Sequence, residues 1–402
     1  MINPKVLVTG ATGKTGGAVV TQLLAKGWPV RAIVRGRDAR SDLLQRRGAE
    51  VVVADIFDPG QLMDAMSGVQ RAYYCPPYHP LVIQSASAFA AAARETGLEQ
   101  IVGLSQWLAG PNHPALMSRQ HWLIDRMFGA LPNIAYTAVT PGFFADSPYL
   151  EMMPFAAHLG VLPLPVSGES RNDPPSVDDI ARVAVAALLD PARHAGKSYR
   201  PTGPKLLTVS EMATIIGGVV GHKVRHVRTP LRIFYKGAKA QGMEPLLLSG
   251  LRYWFEDNDR GAFAVGAPND TVRELTGKDA EDFETIARRH AALPQSRQNF
   301  RTRLTVFASF LAVPILPGFD PVAYDRAQEQ PVPPTPRLAL ADADWTASHG
   351  AESSLIVDSA LTKAVAGGEQ SAKPKTSLEF LLQEVAGNRK PGATGEQEAA
   401  GE

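Results

Sequence analysis

Residues Gly10-Ala11-Thr12-Gly13-Lys14-Thr15-Gly16 directly follow a short β-branched run and open a helical pattern. Glycines spaced by three have separate uses in such a turn. The first permits a tight bend, the second lets the backbone approach a pyrophosphate, and the third lets helix and strand pack closely. The helix starting there offers unpaired N–H groups and its positive end to an anion. Gly10, Thr12, Gly13, Lys14, Thr15 and Gly16 are the expected contacts to a dinucleotide pyrophosphate. Gly13-Lys14-Thr15 also looks like the end of a triphosphatase P-loop. That loop needs a glycine five residues before Gly13, where Val8 stands, which argues against ATP or GTP hydrolysis.

Choice of dinucleotide is read at the end of the second strand. Sites for NAD usually place an acid there for the ribose 2′-hydroxyl. Here Val30–Val34 runs into Arg35-Gly36-Arg37. A guanidinium pairs with a 2′-phosphate by charge and by forked hydrogen bonds, so Arg35 predicts NADP(H) over NAD(H). The alternative is that Arg35 and Arg37 are solvated loop charges, with Asp38 as a nearby acid. Asp55, just after the third strand, is placed for the adenine or serves as a turn or cap residue. Tyr74-Cys75-Pro76-Pro77-Tyr78 follows the fourth strand, at the carboxyl edge where open α/β sheets meet their ligands. Cys75 and Pro76 are expected beside the ribose and nicotinamide. Cys75 reads as a small packing residue, since nothing around it signals a depressed thiol pKa.

These residues need a parallel sheet to hold them. Strands are expected at Lys5–Thr9, Val30–Val34, Val51–Ala54, Arg71–Cys75, Gln100–Leu104 and Ala135–Val139. Helical patterns at Gly16–Lys26, Gln61–Met66, Leu81–Thr96 and Ser118–Phe128 alternate with them. That alternation predicts an α/β fold, a doubly wound parallel sheet with right-handed crossovers. Beyond residue 145 the pattern changes. Ser176 and Asp179 form a capping-box-like pair, Thr208-Val209-Ser210-Glu211 starts another helix with Gly221 after its end, and Val272 to His290 reads as a third helical region. The expected layout is a Rossmann core over 1–145, a substrate-binding lobe over 146–292, a basic and apolar extension over 293–319, and a mostly disordered tail over 320–402.

Composition agrees with an ordinary globular chain of 402 residues, 45% hydrophobic and 20% charged. The balance of 41 basic and 40 acidic residues argues against a dedicated nucleic-acid binder. A single cysteine excludes a disulfide framework and multi-cysteine metal sites, and no histidine has ligand spacing, so no metal is expected. The N-terminus lacks a signal-peptide pattern, and no apolar run reaches the roughly 18 to 20 residues of a membrane span. A cytoplasmic location is expected.

The glycine turn, with Arg31, Arg35 and Asp55, resembles the NmrA-like branch of the atypical short-chain dehydrogenases/reductases. Thr140-Pro141-Gly142-Phe143-Phe144 is similar to that family's Arg-Pro-Gly-x-Phe stretch, with threonine replacing the arginine. Ser176–Ala181, Tyr199–Pro204 and Leu275–Lys278 with Phe283 and His290 also fit. The resemblance covers roughly residues 4–292. It implies the fold strongly and the activity weakly, because the family mixes quinone and carbonyl reductases with NADPH-sensing regulators.

Short-chain dehydrogenases usually pair Tyr-x-x-x-Lys with a serine after the fifth strand. Ser105 stands at the serine position, but Met117 falls at the tyrosine and His121 at the lysine. His121 and Asp125 share a helix face. The resemblance implies that a histidine with an acid four residues later serves the quinone reductases. His121 either hydrogen-bonds the nicotinamide ribose or helps protonate a quinone, its unperturbed pKa being near 6.5, or is a packing histidine held by Asp125. A quinone needs less acid help than a ketone, so the missing tyrosine disfavours ketone reduction more. Trp107, Phe143, Phe144 and Tyr149 are expected to wall an apolar substrate pocket, the alternative being ordinary core between sheet and lobe.

Two functions follow: an NADPH-dependent oxidoreductase acting on a quinone-like or enone-like small molecule, with Ser105 and His121 in the catalytic positions, or a non-catalytic NADP(H) sensor working through a protein partner. The basic and apolar segment around Leu304–Leu316 would pack on its own body, join a second subunit, or lie on an anionic membrane surface. Thr376 to Val385 carries a capping-box spacing and one apolar face, which suits a transient helix or a docking element.

Overall fold

Val6–Val8 (β1) is fully buried, as a strand covered on both faces of a parallel sheet must be. The computed structural model describes residues 3–349. From β1 the chain alternates through α1 (Lys14–Ala25), β2 (Val30–Val34), α2 (Ala39–Arg46), β3 (Glu50–Val53) and α3 (Pro59–Met66). It continues through β4 (Arg71–Tyr74), α4 (Val82–Glu95), β5 (Gln100–Leu104), α5 (Leu116–Gly129) and β6 (Ala135–Val139). Then come α6 (Met153–Leu159), β7 (Val161–Leu164), β8 (Arg171–Asn172), α7 (Val177–Leu189), α8 (Pro191–His194) and β9 (Ser198–Tyr199).

Seven strands pair in the order β3-β2-β1-β4-β5-β6-β9, all parallel. The chain runs outward from β1 to β3 and then returns to place β4 on β1's other side. That reversal leaves a crevice at the carboxyl ends of β1 and β4, the expected ligand position in a doubly wound sheet. The architecture is the doubly wound, Rossmann-type sheet that the alternation predicted.

The boundary at residue 145 needs correction. Ser176 accepts from Asp179 N–H and caps α7, whose Ile180, Ala184 and Leu188 join the core formed by α1 and the sheet. β9 then extends the sheet beyond β6. The chain thus leaves the sheet after β6 and comes back, because α7 buries an apolar face that only the sheet layer can cover.

The lobe adds β10 (Leu207–Thr208), α9 (Val209–Val220), β11 (Arg225–Arg228), α10 (Leu231–Ala240), α11 (Pro245–Arg260), α12 (Thr271–Thr276) and α13 (Phe283–Ala291). Thr208 and Glu211 make a reciprocal capping box, and Gly221 ends α9 at φ +80°. The single helical region expected over 272–290 is two helices, broken by Gly277 at φ +67°. Last come α14 (Phe300–Ala312), α15 (Pro321–Ala327) and α16 (Ala343–His349).

Disorder was expected from residue 320, and the structure corrects this for 320–349. Asp325 accepts from Ser249 Oγ and pairs with Arg252, tying α15 to α11. Ala339 N donates to the buried Asp257 Oδ1 at 2.9 Å. Trp345 is buried, and its indole N–H donates to Trp107 O at 3.1 Å. A few large anchors suffice to hold this strap, because one buried indole removes as much apolar surface as several small residues. The remainder of the expected tail, including Thr376 to Val385, lies outside the described residues.

Candidate active site

Gly10 adopts φ +60°, and its carbonyl accepts Gly13 N–H at 2.8 Å, closing the turn after β1. Gly13 is the N-cap of α1 and supplies no side-chain cap, so the first N–H groups of a twelve-residue helix stay free for an anion. At Gly16 a Cβ would stand 2.3 Å from Gly10 O, so only glycine lets helix and turn approach this closely. Cys75 lies against the turn; a Cβ on Gly10 would meet its Sγ at 3.2 Å. Thr15 Oγ1 and Cys75 Sγ are 3.8 Å apart, and burial pushes the thiol up to about 11. Cys75 thus packs against the turn as a protonated thiol. Pro76 continues this wall, half-buried, and Thr12 is half-buried at the tip of the turn.

Lys14 forms an ion pair with Glu151 on the lobe side. Its ammonium is thus already engaged rather than waiting for phosphate. Glu151→Gln is expected to tighten NADPH binding by about two- to fivefold, the range of an exposed ion pair. Titration of cofactor against both forms checks it, and weaker binding in the variant would reverse the assignment.

Arg35 is exposed and makes no ion pair among the described residues. Arg37 instead donates to Gln45 Oε1 and Val51 O. Asp38 is committed to α2: its carboxylate accepts from Arg40 and Ser41 N–H and pairs with Arg40. Those contacts hold it below the usual carboxylate range, the Ser41 backbone hydrogen bond first. This role as a cap removes Asp38 as a competing ribose ligand. Asp55 Oδ1 accepts from Phe57 N at 2.9 Å, the turn role, while the residue stays exposed at the carboxyl end of β3. The glycine cradle, the uncapped helix end and the free guanidinium fit a dinucleotide.

Ser105 directly follows β5 and donates to Asp125 Oδ2 at 2.6 Å, and Tyr136 donates to Asp125 Oδ1 at 2.5 Å. Asp125 therefore does not hold His121, which corrects one of the two expectations for that histidine. Sequence reasoning missed Tyr136. Its signal was Gly103 within β5, since a Cβ there would stand 2.6 Å from the Tyr136 hydroxyl. His121 lies one turn before Asp125 on α5, toward the carboxyl edge of the sheet, and its Nδ1 is shielded and unpartnered. Burial lowers its pKa to about 4. Burial thus favours the neutral imidazole at pH 7, against the expected help in protonating a quinone.

Burial raises Asp125 to about 6 despite its two hydroxyl donors. A folded pKa above the unfolded value favours the fold at low pH. The advantage is complete below about 4 and is lost as pH rises through about 6. Wild type is thus expected to lose about 2–3 kcal/mol relative to Asp125→Asn between those limits. Urea titrations of both forms at stepped pH check this, and a constant difference would refute it.

The four aromatics do not gather into one wall. Phe143 packs on Phe263 and Phe255 at 4.8 and 5.7 Å, with Tyr149 buried beside it. Phe144 joins the core of the sheet and α1 instead. Trp107 is buried between Arg200, 3.8 Å from its ring, and His349, at 4.5 Å. Trp107 and Tyr149 are buried in the core that the lobe shares with the C-terminal strap, where Trp345 meets Trp107 edge-on. Among the described residues no three ligand-type side chains cluster to hold a metal.

Comparison with known proteins supplies further findings. A family model described as the NmrA-like family matches residues 3–247. An NAD(P)H azoreductase of Xenophilus azovorans is 30% identical over 294 residues, 71% of this chain and 98% of that protein. The NADPH complex of an Escherichia coli quinone oxidoreductase superposes with a TM-score of 0.61 at 23% identity, over 70% of this chain and 98% of that one. NmrA, a negative transcriptional regulator in complex with NADP, superposes with a TM-score of 0.57 at 16% identity, over 72% and 95%. At such identities the two structures speak to the fold.

Proposed function

The chain belongs to the NmrA-like family, and on that premise we propose that it is an NAD(P)H-dependent oxidoreductase preferring NADP(H) and reducing a flat, quinone-like or enone-like small molecule. The observation that carries this reading is the uncapped N-terminus of α1 after β1, with the unpaired Arg35 at the end of the neighbouring strand β2. The nicotinamide, when bound, supplies the hydride. Gly10, Gly13 and Gly16 admit the pyrophosphate to the helix end, and Arg35 meets the 2′-phosphate. With its proton committed to Asp125, the Ser105 hydroxyl presents lone pairs to the carboxyl edge of the sheet. His121 offers a neutral, shielded imidazole, a hydrogen-bonding group rather than a strong acid. An acceptor that needs little protonation suits such a site, which favours quinones and enones over simple ketones.

A second reading, a non-catalytic NADP(H)-responsive regulator, is favoured by Met117, which is buried where a tyrosine acid would be expected. NADPH consumption against quinones, enones, aldehydes and an azo dye, with cofactor binding followed in parallel, separates the two. Turnover supports the enzyme. Tight binding without turnover on any acceptor supports the regulator. Arg35→Asp is expected to weaken NADPH by about 10- to 100-fold, the worth of a charged hydrogen bond, with little effect on NADH. Equal losses for both cofactors would refute the 2′-phosphate contact.

A further inference from the structure

Helix α14 buries none of its side chains. Phe300, Leu304, Phe307 and Leu311 repeat at intervals of four, three and four, so they share one face. They are 80%, 56%, 48% and 59% exposed, and Ile315 just beyond is 85% exposed. The helix rests on the lobe along the flank of this ridge, where Phe310 meets Phe155 with ring centres 6.2 Å apart and Phe300, Arg303 and Phe307 border a groove against α6. A contiguous apolar ridge of this kind marks an interaction surface.

The charge around the ridge is one-sided. Between Glu284 and Asp320 the chain has five arginines and no acid. Between Glu211 and Glu244 it has six lysines and arginines and no acid. The fold brings these two stretches together. Gln298 Nε2 donates to Val220 O at 2.7 Å, and Lys239 Nζ donates to Gly318 O at 3.2 Å. Among the described residues Arg297, Arg301, Arg303, Lys223 and Arg225 have no carboxylate within ion-pair distance. The whole chain is nearly neutral at +1, so this local excess stands out against it.

We propose that the α14 face seats the protein peripherally on an anionic lipid surface. Apolar side chains of an interfacial helix enter the headgroup boundary while flanking arginines meet lipid phosphates. A second copy is a poorer occupant, because two-fold pairing sets each basic face against itself. No described helix is long and apolar enough to span a membrane, so the contact lies on the surface.

The full chain would be sedimented with vesicles of phosphatidylcholine alone and of an equimolar phosphatidylcholine–phosphatidylglycerol mixture. Binding to the mixed vesicles only, weakened by salt, is expected. Replacing Arg297, Arg301 and Arg303 by glutamine should weaken it by about fivefold for each arginine facing the lipid. Phe307→Glu with Leu311→Glu should abolish it. These side chains are exposed, so NADPH binding and the thermal midpoint should stay unchanged and serve as folding controls. Equal binding to both vesicle types, or binding to neither, would overturn the proposal. A concentration-dependent dimer that dissolves in the Phe307→Glu, Leu311→Glu form would assign the face to a second copy and overturn it too.

Discussion

Trp345→Ala is expected to cost about 3–5 kcal/mol of stability, the range for emptying a buried aromatic site. The indole is only 4% exposed. It meets Trp107 edge-on at 5.7 Å and stacks on His349 at 4.3 Å. Its loss would open a void beside Trp107 and leave that residue's carbonyl without its donor. Denaturant unfolding followed by tryptophan fluorescence and by circular dichroism measures the change. A loss under about 0.5 kcal/mol, as at an ordinary surface position, would mean that the strap is not part of the packed body.

Gly16→Ala should weaken NADPH binding by at least about 100-fold, near 3 kcal/mol. The added methyl would stand 2.3 Å from Gly10 O and 2.7 Å from Gly10 C, both backbone atoms. Relief requires moving the turn away from α1, which misaims the N–H groups meant for the pyrophosphate. Overpacking also destabilises the fold itself, by about 1–3 kcal/mol. Gly218→Ala provides the contrast. Gly218 sits exposed in α9, and a methyl added there would meet nothing within 4 Å. Alanine at that position should stabilise by about 0.5–1 kcal/mol and leave cofactor binding alone. Calorimetric titration with NADPH reads both, and undiminished affinity in Gly16→Ala would remove the cradle from the site.

Much of the sheet was legible because central parallel strands are continuous β-branched runs. Strands β2, β5 and β6 fall within the bounds their sequence predicts. Two elements left weaker traces. Helix α2 is short and polar, and its start signal, Asp38, reads equally well as a ribose ligand until the capping box claims it. Strand β9 has two residues, too few to show a period, and exists because β6 offers an edge. In the site, spacing put His121 and Asp125 on one face, but not which partner Asp125 would take. That depended on Tyr136 reaching across from β6 through the gap at Gly103. The strap was illegible for another reason: composition averages a segment, whereas Trp345, Ala339 and Asp325 act singly.

Asp257 shows how firmly that strap is woven in. It is completely buried, one oxygen accepting Ala339 N–H and the other facing His113 Nε2 at 2.8 Å. His113 Nδ1 accepts Ala115 N–H, which leaves the proton on Nε2 for the carboxylate. Shortening the chain before residue 339 would strip one partner from a carboxylate sealed from water, and unmet buried acceptors cost about 1–3 kcal/mol or more when charged. Losing Asp257 first would leave His113 and the Ala339 amide unmatched instead. Neither change is cheap, and the two together still leave His113 Nε2 without its acceptor and the Trp345 site beside Trp107 empty. A segment anchored this way cannot be trimmed without loss to the body it crosses, so the lobe and the strap are expected to unfold as one unit.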